Sequence, residues 1–263
     1  MGDNSCDFKL LSHSGFAAAD YSVAMSSGGS YDGGYITSAR LDSRTLSIKF
    51  DFGGRFGEVT RQSLIRFFAP SRELTVTAQR GNIKRTITGY ACDFDIDETN
   101  RHAHSVVNLS ILCPDPYFKA TETVSQSAAV VTPMFHLPCY LPVVLGVESS
   151  TGSLTVHNDG DTAADLVVEL IAYADVNNPY IANDTTGRRI ATKGKLSAGK
   201  KLTISTVRRH KAATINGERC LTNPSSQFSD FLTVGENNLR YSSDEGSGDI
   251  AVNVQCTALY LGV

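Results

Sequence analysis

The sequence predicts a mostly β fold in two domains, with one short helix in the first. Three observations carry this reading. Period-two alternation of apolar and polar residues dominates most apolar segments, which marks strands whose two faces differ in polarity. Turn signals containing glycine separate these segments. The texture changes between Cys113 and Pro142, where Pro114, Pro116, Pro133, Pro138 and Pro142 interrupt any long ladder or helix. A boundary within residues 138 to 148 follows, giving domains over residues 1–140 and 141–263. The length of 263 residues and 41% hydrophobic content suit two cores of ordinary size.

Taken in order, Leu46, Ile48, Phe50 and Phe52 alternate with Thr45, Ser47, Lys49 and Asp51, sending four large apolar side chains to one face. Glu58 to Phe68 breaks the rhythm, with Leu64, Ile65 and Phe68 at helical spacing, Gly57 before and Pro70 after. Glu58 suits the positive end of the helix dipole. Leu74, Val76 and Ala78 lead through Arg80-Gly81-Asn82 into Ile83–Tyr90, a β-hairpin. Cys92, Phe94 and Ile96 alternate with acids, and Val107, Leu109, Ile111 and Cys113 with polar partners, giving two more strands. Past the boundary, strands are expected over Leu154–His157, Leu166–Tyr173, Lys201–Ser205, Ala212–Ile215, Asn238–Tyr241 and Ile250–Cys256. With turns at Asp159-Gly160, Ala198-Gly199 and Asn216-Gly217, their spacing suggests a β-sandwich.

The 24 basic and 27 acidic side chains leave a net charge of −3, so bulk charge draws the chain to neither nucleic acid nor anionic membrane. The start carries Asp3 and Asp7 without a sustained apolar stretch, so no signal peptide is expected and synthesis is placed in a cytoplasm. Tyr140–Val147 is short and broken by Pro142, so no membrane span is expected. The six cysteines contain no C-x-x-C pair. Cys92, Cys113 and Cys256 fall on apolar phases and are expected as reduced core residues.

The order of elements, together with Leu112-Cys113-Pro114-Asp115-Pro116-Tyr117-Phe118, resembles the N-terminal half of phage distal tail proteins, the siphophage tail component family of the baseplate hub. The second half is similar to the family's C-terminal domain through Asn158-Asp159-Gly160-Asp161, Asn178-Pro179-Tyr180-Ile181, Asn183 to Gly187, Leu196 to Gly199, Asn216-Gly217 and Val234 to Asn237. The resemblance implies an N-terminal belt β-sandwich with one helix and an extended hairpin, which joins six copies into a ring. It implies a galectin-like C-terminal β-sandwich outside that ring. The implied partners are further copies of the chain, the tail tube protein, the tail-associated hub or lysin protein below, and a receptor-binding protein. DNA would pass through the ring without specific binding, at the tail tip of a virion. No cofactor and no enzymatic activity are implied. A net-acidic chain also fits a lumen that DNA crosses without sticking.

The residues offer little chemistry against this. Asp93, Asp95 and Asp97 share a strand phase, but solvent-facing charges are ordinary on a sheet. Asn158 to Asp161 misses the calcium-loop spacing and reads as a turn. His102 and His104 lack a visible third ligand. Ser12-His13-Ser14-Gly15 lacks the wider apparatus of a hydrolase, and no G-x-S-x-G elbow occurs. The loop Ser26–Gly34 lacks the Gly-Lys-Ser/Thr ending of a phosphate loop. Arg188-Arg189 and Arg208 to Lys211 are too small to announce nucleic-acid recognition. Cys113, Pro114, Asp115, Pro116, Tyr117 and Phe118 are instead expected as a structural motif that locks the exit of the first domain, burying both aromatics. The main alternative function is a carbohydrate-binding adhesin module. The absence of tryptophan counts against it, though Tyr173, Tyr180 or Tyr241 could supply an aromatic platform. A cell-wall hydrolase would need a catalytic constellation that the sequence does not present.

Overall fold

A computed structural model describes residues 8–29, 32–53, 57–97, 104–129, 132–133, 146–147, 152–245 and 250–263. Contacts divide the chain into two units, Met1–Thr121 with Tyr260–Val263, and Glu122–Leu259. Most of the boundary segment expected over 138–148 lies outside the described residues.

The first unit contains β1 (Phe8–Ser14), β2 (Tyr21–Ser26), β3 (Tyr35–Leu41), β4 (Arg44–Gly53), α1 (Gly57–Phe67), β5 (Glu73–Arg80), β6 (Ile83–Asp97), β7 (His104–Cys113) and β8 (Phe118–Ala120). One sheet runs in the order β1-β4-β7-β6-β8, with β5 on β6. Pairing of Leu46 with Ile111 and Phe50 with Val107 puts the apolar phases of β4 and β7 on one face, and all four side chains are buried. Alternation along β4 therefore did specify its register. Leu64 and Phe68, a helical turn apart, bury against this face. Ile65, expected beside them, is exposed, because one further residue turns about 100° around the helix axis. The β5–β6 hairpin turns at Gly81, whose φ of 60° glycine adopts without a Cβ clash.

Strand β6 departs from simple alternation, as the β1–β4 and β2–β3 pairs also do by one residue each. Its pairing with β7 passes from Ala91 opposite Ile111 directly to Asp93 opposite Ser110, leaving Cys92 as the extra residue of a bulge. Ile87 and Ala91 face the core before the bulge, while Phe94 and Ile96 pack against it afterwards, so the core-facing parity switches. Cys92 is consequently exposed, correcting its expected place in the core. Cys113 and Cys256 are buried as expected.

The second unit comprises β9 (Val124–Ala129), β10 (Thr132–Pro133), β11 (Gly146–Val147), β12 (Gly152–Asn158), β13 (Asp165–Ala172), β14 (Val176–Asn177), β15 (Tyr180–Asn183), β16 (Arg188–Ala191), β17 (Lys195–Leu196), β18 (Lys201–Ser205), β19 (Ala212–Ile215), β20 (Glu218–Arg219), β21 (Gly235–Ser242) and β22 (Ile250–Thr257). A four-stranded sheet, β12-β21-β15-β16, and a six-stranded sheet, β20-β19-β18-β13-β22-β9, share one core. Val156, Ile181, Ile190 and Leu239 enter it from the first sheet and Leu166, Val168, Leu202 and Val254 from the second. Strand β9 lies in the stretch where prolines were expected to prevent a ladder. It forms because residues 117–132 are free of proline. The final strand, β23 (Leu259–Tyr260), returns the chain to the first unit's sheet beside β8. Among the described residues, no helix is long and apolar enough to cross a membrane.

A buried amide pair holds the loops at one end of the four-stranded sheet. Asn183 Nδ2 donates to Asn237 Oδ1 at 2.9 Å and to the Phe231 carbonyl at 2.7 Å. Asn237 Nδ2 donates to the carbonyls of Thr233 and Gly235, and its Oδ1 accepts from Thr233 N–H. Asn237→Ala strands these groups, and its expected cost is about 2–3 kcal/mol by urea unfolding, against under about 0.5 kcal/mol for exposed Asn238→Ala.

Candidate functional site

Two features of the first unit lie outside ordinary core packing. One is the corner at Cys113–Phe118, the other a bare apolar ribbon.

The corner is organised by Arg44, which pairs with Cys113 where β4 and β7 meet its base. Arg44 occupies the same strand phase as Leu46, Phe50 and Phe52, which drives its guanidinium into the protein, where only 3% of the residue is exposed. Its Nε donates to the Pro116 carbonyl at 3.0 Å. Its Nη1 donates to the carbonyls of Gly15 at 2.7 Å and Ala17 at 2.5 Å, and Nη2 to that of Leu261 at 2.5 Å. The same group lies 4.8 Å from the centre of the Phe118 ring. Burial lowers the Arg44 pKa, with Cys113 and Asp20 opposing that shift, yet arginine remains charged. One planar fork thus holds three stretches of backbone that are distant in sequence.

The expected motif residues surround it. Phe118 is fully buried and stacks on Phe16 with ring centroids 6.2 Å apart. Tyr117 is only half-buried, so one of the two aromatics, rather than both, fills the interior. Asp115 Oδ1 accepts from Tyr117 N–H at 3.4 Å, an Asx-type turn across Pro116. Burial pushes the Cys113 thiol up to about 11, partly offset by Arg44, so it stays protonated at neutral pH. Cys256 is likewise pushed up to about 11, by burial first and then by Asp159 and Asp165. Thiol alkylation at pH 8, read by peptide mapping, is therefore expected to label Cys92 promptly and Cys113 and Cys256 only after denaturation.

The ribbon is formed by β2 and β3, which pair only with each other among the described residues. Cross-strand partners Tyr21 with Leu41, Val23 with Ala39 and Met25 with Ile36 share one face, while Ser22 with Arg40 and Ala24 with Ser38 share the other. One face is apolar along its length, while the other mixes Ser22, Arg40 and Ser38 with Ala24 and the exposed Tyr35 opposite Ser26. The apolar one is uncovered, with Met25 70% and Ile36 66% exposed. The Gly/Ser-rich stretch from Ser26 to Gly34, weighed above as a phosphate loop, runs in sequence from the last residue of β2 to the residue before the first of β3. The same unit carries an apolar cleft of about 930 Å³ along β5.

The remaining candidates stay dispersed. Asp93, Asp95 and Asp97 are exposed along β6, and no group of three or more metal-ligating side chains occurs among the described residues. His102 lies outside the described residues, and His104 opens β7. The His13 ring stands edge-on to Phe16 at 5.3 Å. Asn158 closes its turn by accepting from Gly160 N–H and donating to Thr162 O. Lys211 binds Ser229 Oγ, and Arg188 pairs with Asp230. Of the three tyrosines considered for sugar stacking, Tyr241 is buried and the Tyr180 ring is covered by the Arg189 guanidinium at 3.6 Å. Tyr173 alone is open.

Comparisons with known proteins bear on the fold. A family model described as the siphovirus-type tail component, C-terminal domain, matches residues 159–255, within the second unit. No curated protein matches by sequence. Among solved structures, the Dit (gp 19.1) protein of phage SPP1, presented as a paradigm of the hub adsorption apparatus in phages infecting Gram-positive hosts, matches with a TM-score of 0.66 at 14% identity. The match covers 97% of this chain and 94% of that one. The phage P2 baseplate in its activated conformation with calcium matches with a TM-score of 0.51 at 10% identity, over 97% and 91% of the two chains. Its strontium counterpart gives the same score and identity over 96% and 91%.

Proposed function

We propose that this chain, whose recognition as a phage distal tail protein rests on both its family match and its fold, is a non-enzymatic structural subunit of a phage tail tip. It serves as a hub or baseplate component. Six copies form a ring through the first unit, joining the tail tube to the tail-associated hub or lysin protein and the receptor-binding apparatus, and DNA crosses the ring's centre. The corner at Cys113–Phe118 holds the first unit's chain ends in register, and the second unit is the outward, galectin-like domain. The observation that carries the assembly reading is the ribbon, because an amphipathic two-stranded sheet with its apolar face in water calls for a protein partner. A heterologous contact of this kind closes into a ring when the rotation between copies closes.

Native mass spectrometry across a concentration series, followed by negative-stain imaging, tests this. A six-copy species with a central channel is the expected result. A saturable glycan affinity in calorimetry with no assembly, alone or on purified tail tubes, would falsify it in favour of the adhesin.

A further inference from the structure

We infer that the β2–β3 ribbon of one copy lies, apolar face down, along the β5 edge of the next copy, filling the cleft there. This rests on the proposed ring and identifies the two surfaces that build it. The acceptor is a strand edge that, among the described residues, has a partner on one side only, β6. Leu10, Ile48, Phe67, Leu74, Val76 and Ala78 give its cleft an apolar floor.

Donor and acceptor match in length, sign and area. The six residues of β2 span roughly 20 Å and the eight of β5 roughly 26 Å, so the ribbon lies along the strand without overhang. Ribbon residues 20–42 contain the acids Asp20, Asp32 and Asp42 against the single base Arg40. The cleft wall carries Arg72 and Arg80 against Glu73. Opposite net signs therefore face each other. Tyr21, Val23, Met25 and Ile36, with partly covered Leu41, present on the order of 600 Å² of side chain, near the ~800 Å² per partner of a standard interface. Arg40 and Ser38, on the other face, remain toward solvent.

The test pairs a charge substitution with a proximity measurement on the full chain. Val23→Asp with Met25→Asp charges the apolar face, and Ser22→Asp with Ser38→Asp places the same charge on the polar face. Sizing by native mass spectrometry is expected to show at least a tenfold loss of assembly for the first pair and wild-type assembly for the second. Met25→Cys on one tagged copy and Val76→Cys on another, both with Cys92→Ser, are expected to yield a mixed-copy disulfide under mild oxidation. Circular dichroism of each variant controls for folding. Rings that persist in the charged-face variant, or that form without the mixed disulfide, overturn this contact and leave the hub function standing. A wild-type chain that remains monomeric yet caps purified tail tubes does the same. A chain that neither self-assembles nor binds tubes overturns both.

Discussion

Arg44→Met is expected to destabilise the first unit by about 4 kcal/mol or more while leaving the second unit at its wild-type stability. Methionine approximates the aliphatic stem but supplies no donors. The carbonyls of Gly15, Ala17, Pro116 and Leu261 would then be left in a site that excludes water, and each buried acceptor without a partner costs about 1–3 kcal/mol before relaxation. The loss of the Phe118 contact adds to this. Arg44→Lys is expected to recover less than half, because an ammonium reaches one or two of four carbonyls that a planar fork spans together. Hydrogen exchange with mass spectrometry is the suitable measurement, since it reads the two units separately in the intact chain. Protection should fall in β1, β4 and β8 and hold in β13 and β22. Equal losses in both units, or none, would show that the clamp is not what fixes the corner.

Much of this architecture was legible in the sequence, and its failures have identifiable causes. Lys201–Ser205 and Ala212–Ile215 match β18 and β19 at both ends, because turn residues bracket each strand and alternation fills it. Cys92 was misplaced because a single extra residue inverts the parity of everything after it, and a bulge leaves no periodic trace. The ribbon was missed for the opposite reason. Its alternation is present in Tyr21, Val23 and Met25, but serine and alanine neighbours make it weak, and with its apolar face bare in this chain it belongs to no core. Arg44 did leave a signal, an arginine in phase with Leu46, Ile48, Phe50 and Phe52. It is the strand's innermost polar group. The Cys113–Phe118 motif was located from sequence, whereas the group that binds it lies 72 residues upstream of Pro116 and no local pattern connects them.

The last four residues are expected to be as necessary to the first unit as Arg44 itself. Tyr260–Val263 belong to that unit although the chain between Glu122 and Leu259 belongs to the other, so a fragment ending near residue 140 lacks part of its own fold. The tail is held at every residue. Arg85 stacks on Tyr260 at 3.5 Å and donates to the Gly262 carbonyl, Arg44 donates to Leu261, and Val263 N–H donates to the Phe16 carbonyl at 3.0 Å. Gly262 has no room for a side chain, since a Cβ would come within 2.8 Å of the Ala17 carbonyl oxygen. Removing the tail strands donors of two arginines and uncovers the apolar surface under Tyr260 and Val263, so a loss of more than about 3 kcal/mol is expected. Residues 8–121 expressed alone should therefore show poor near-ultraviolet dichroism and rapid exchange. The same segment joined through a short Gly/Ser linker to Tyr260–Val263 should recover cooperative unfolding, because β8 and β23 are already neighbours in the sheet. If the tail-less segment unfolds as cooperatively as the linked one, the arginine contacts hold the tail without the unit depending on it, and its stability must come from the β4–β7 core alone.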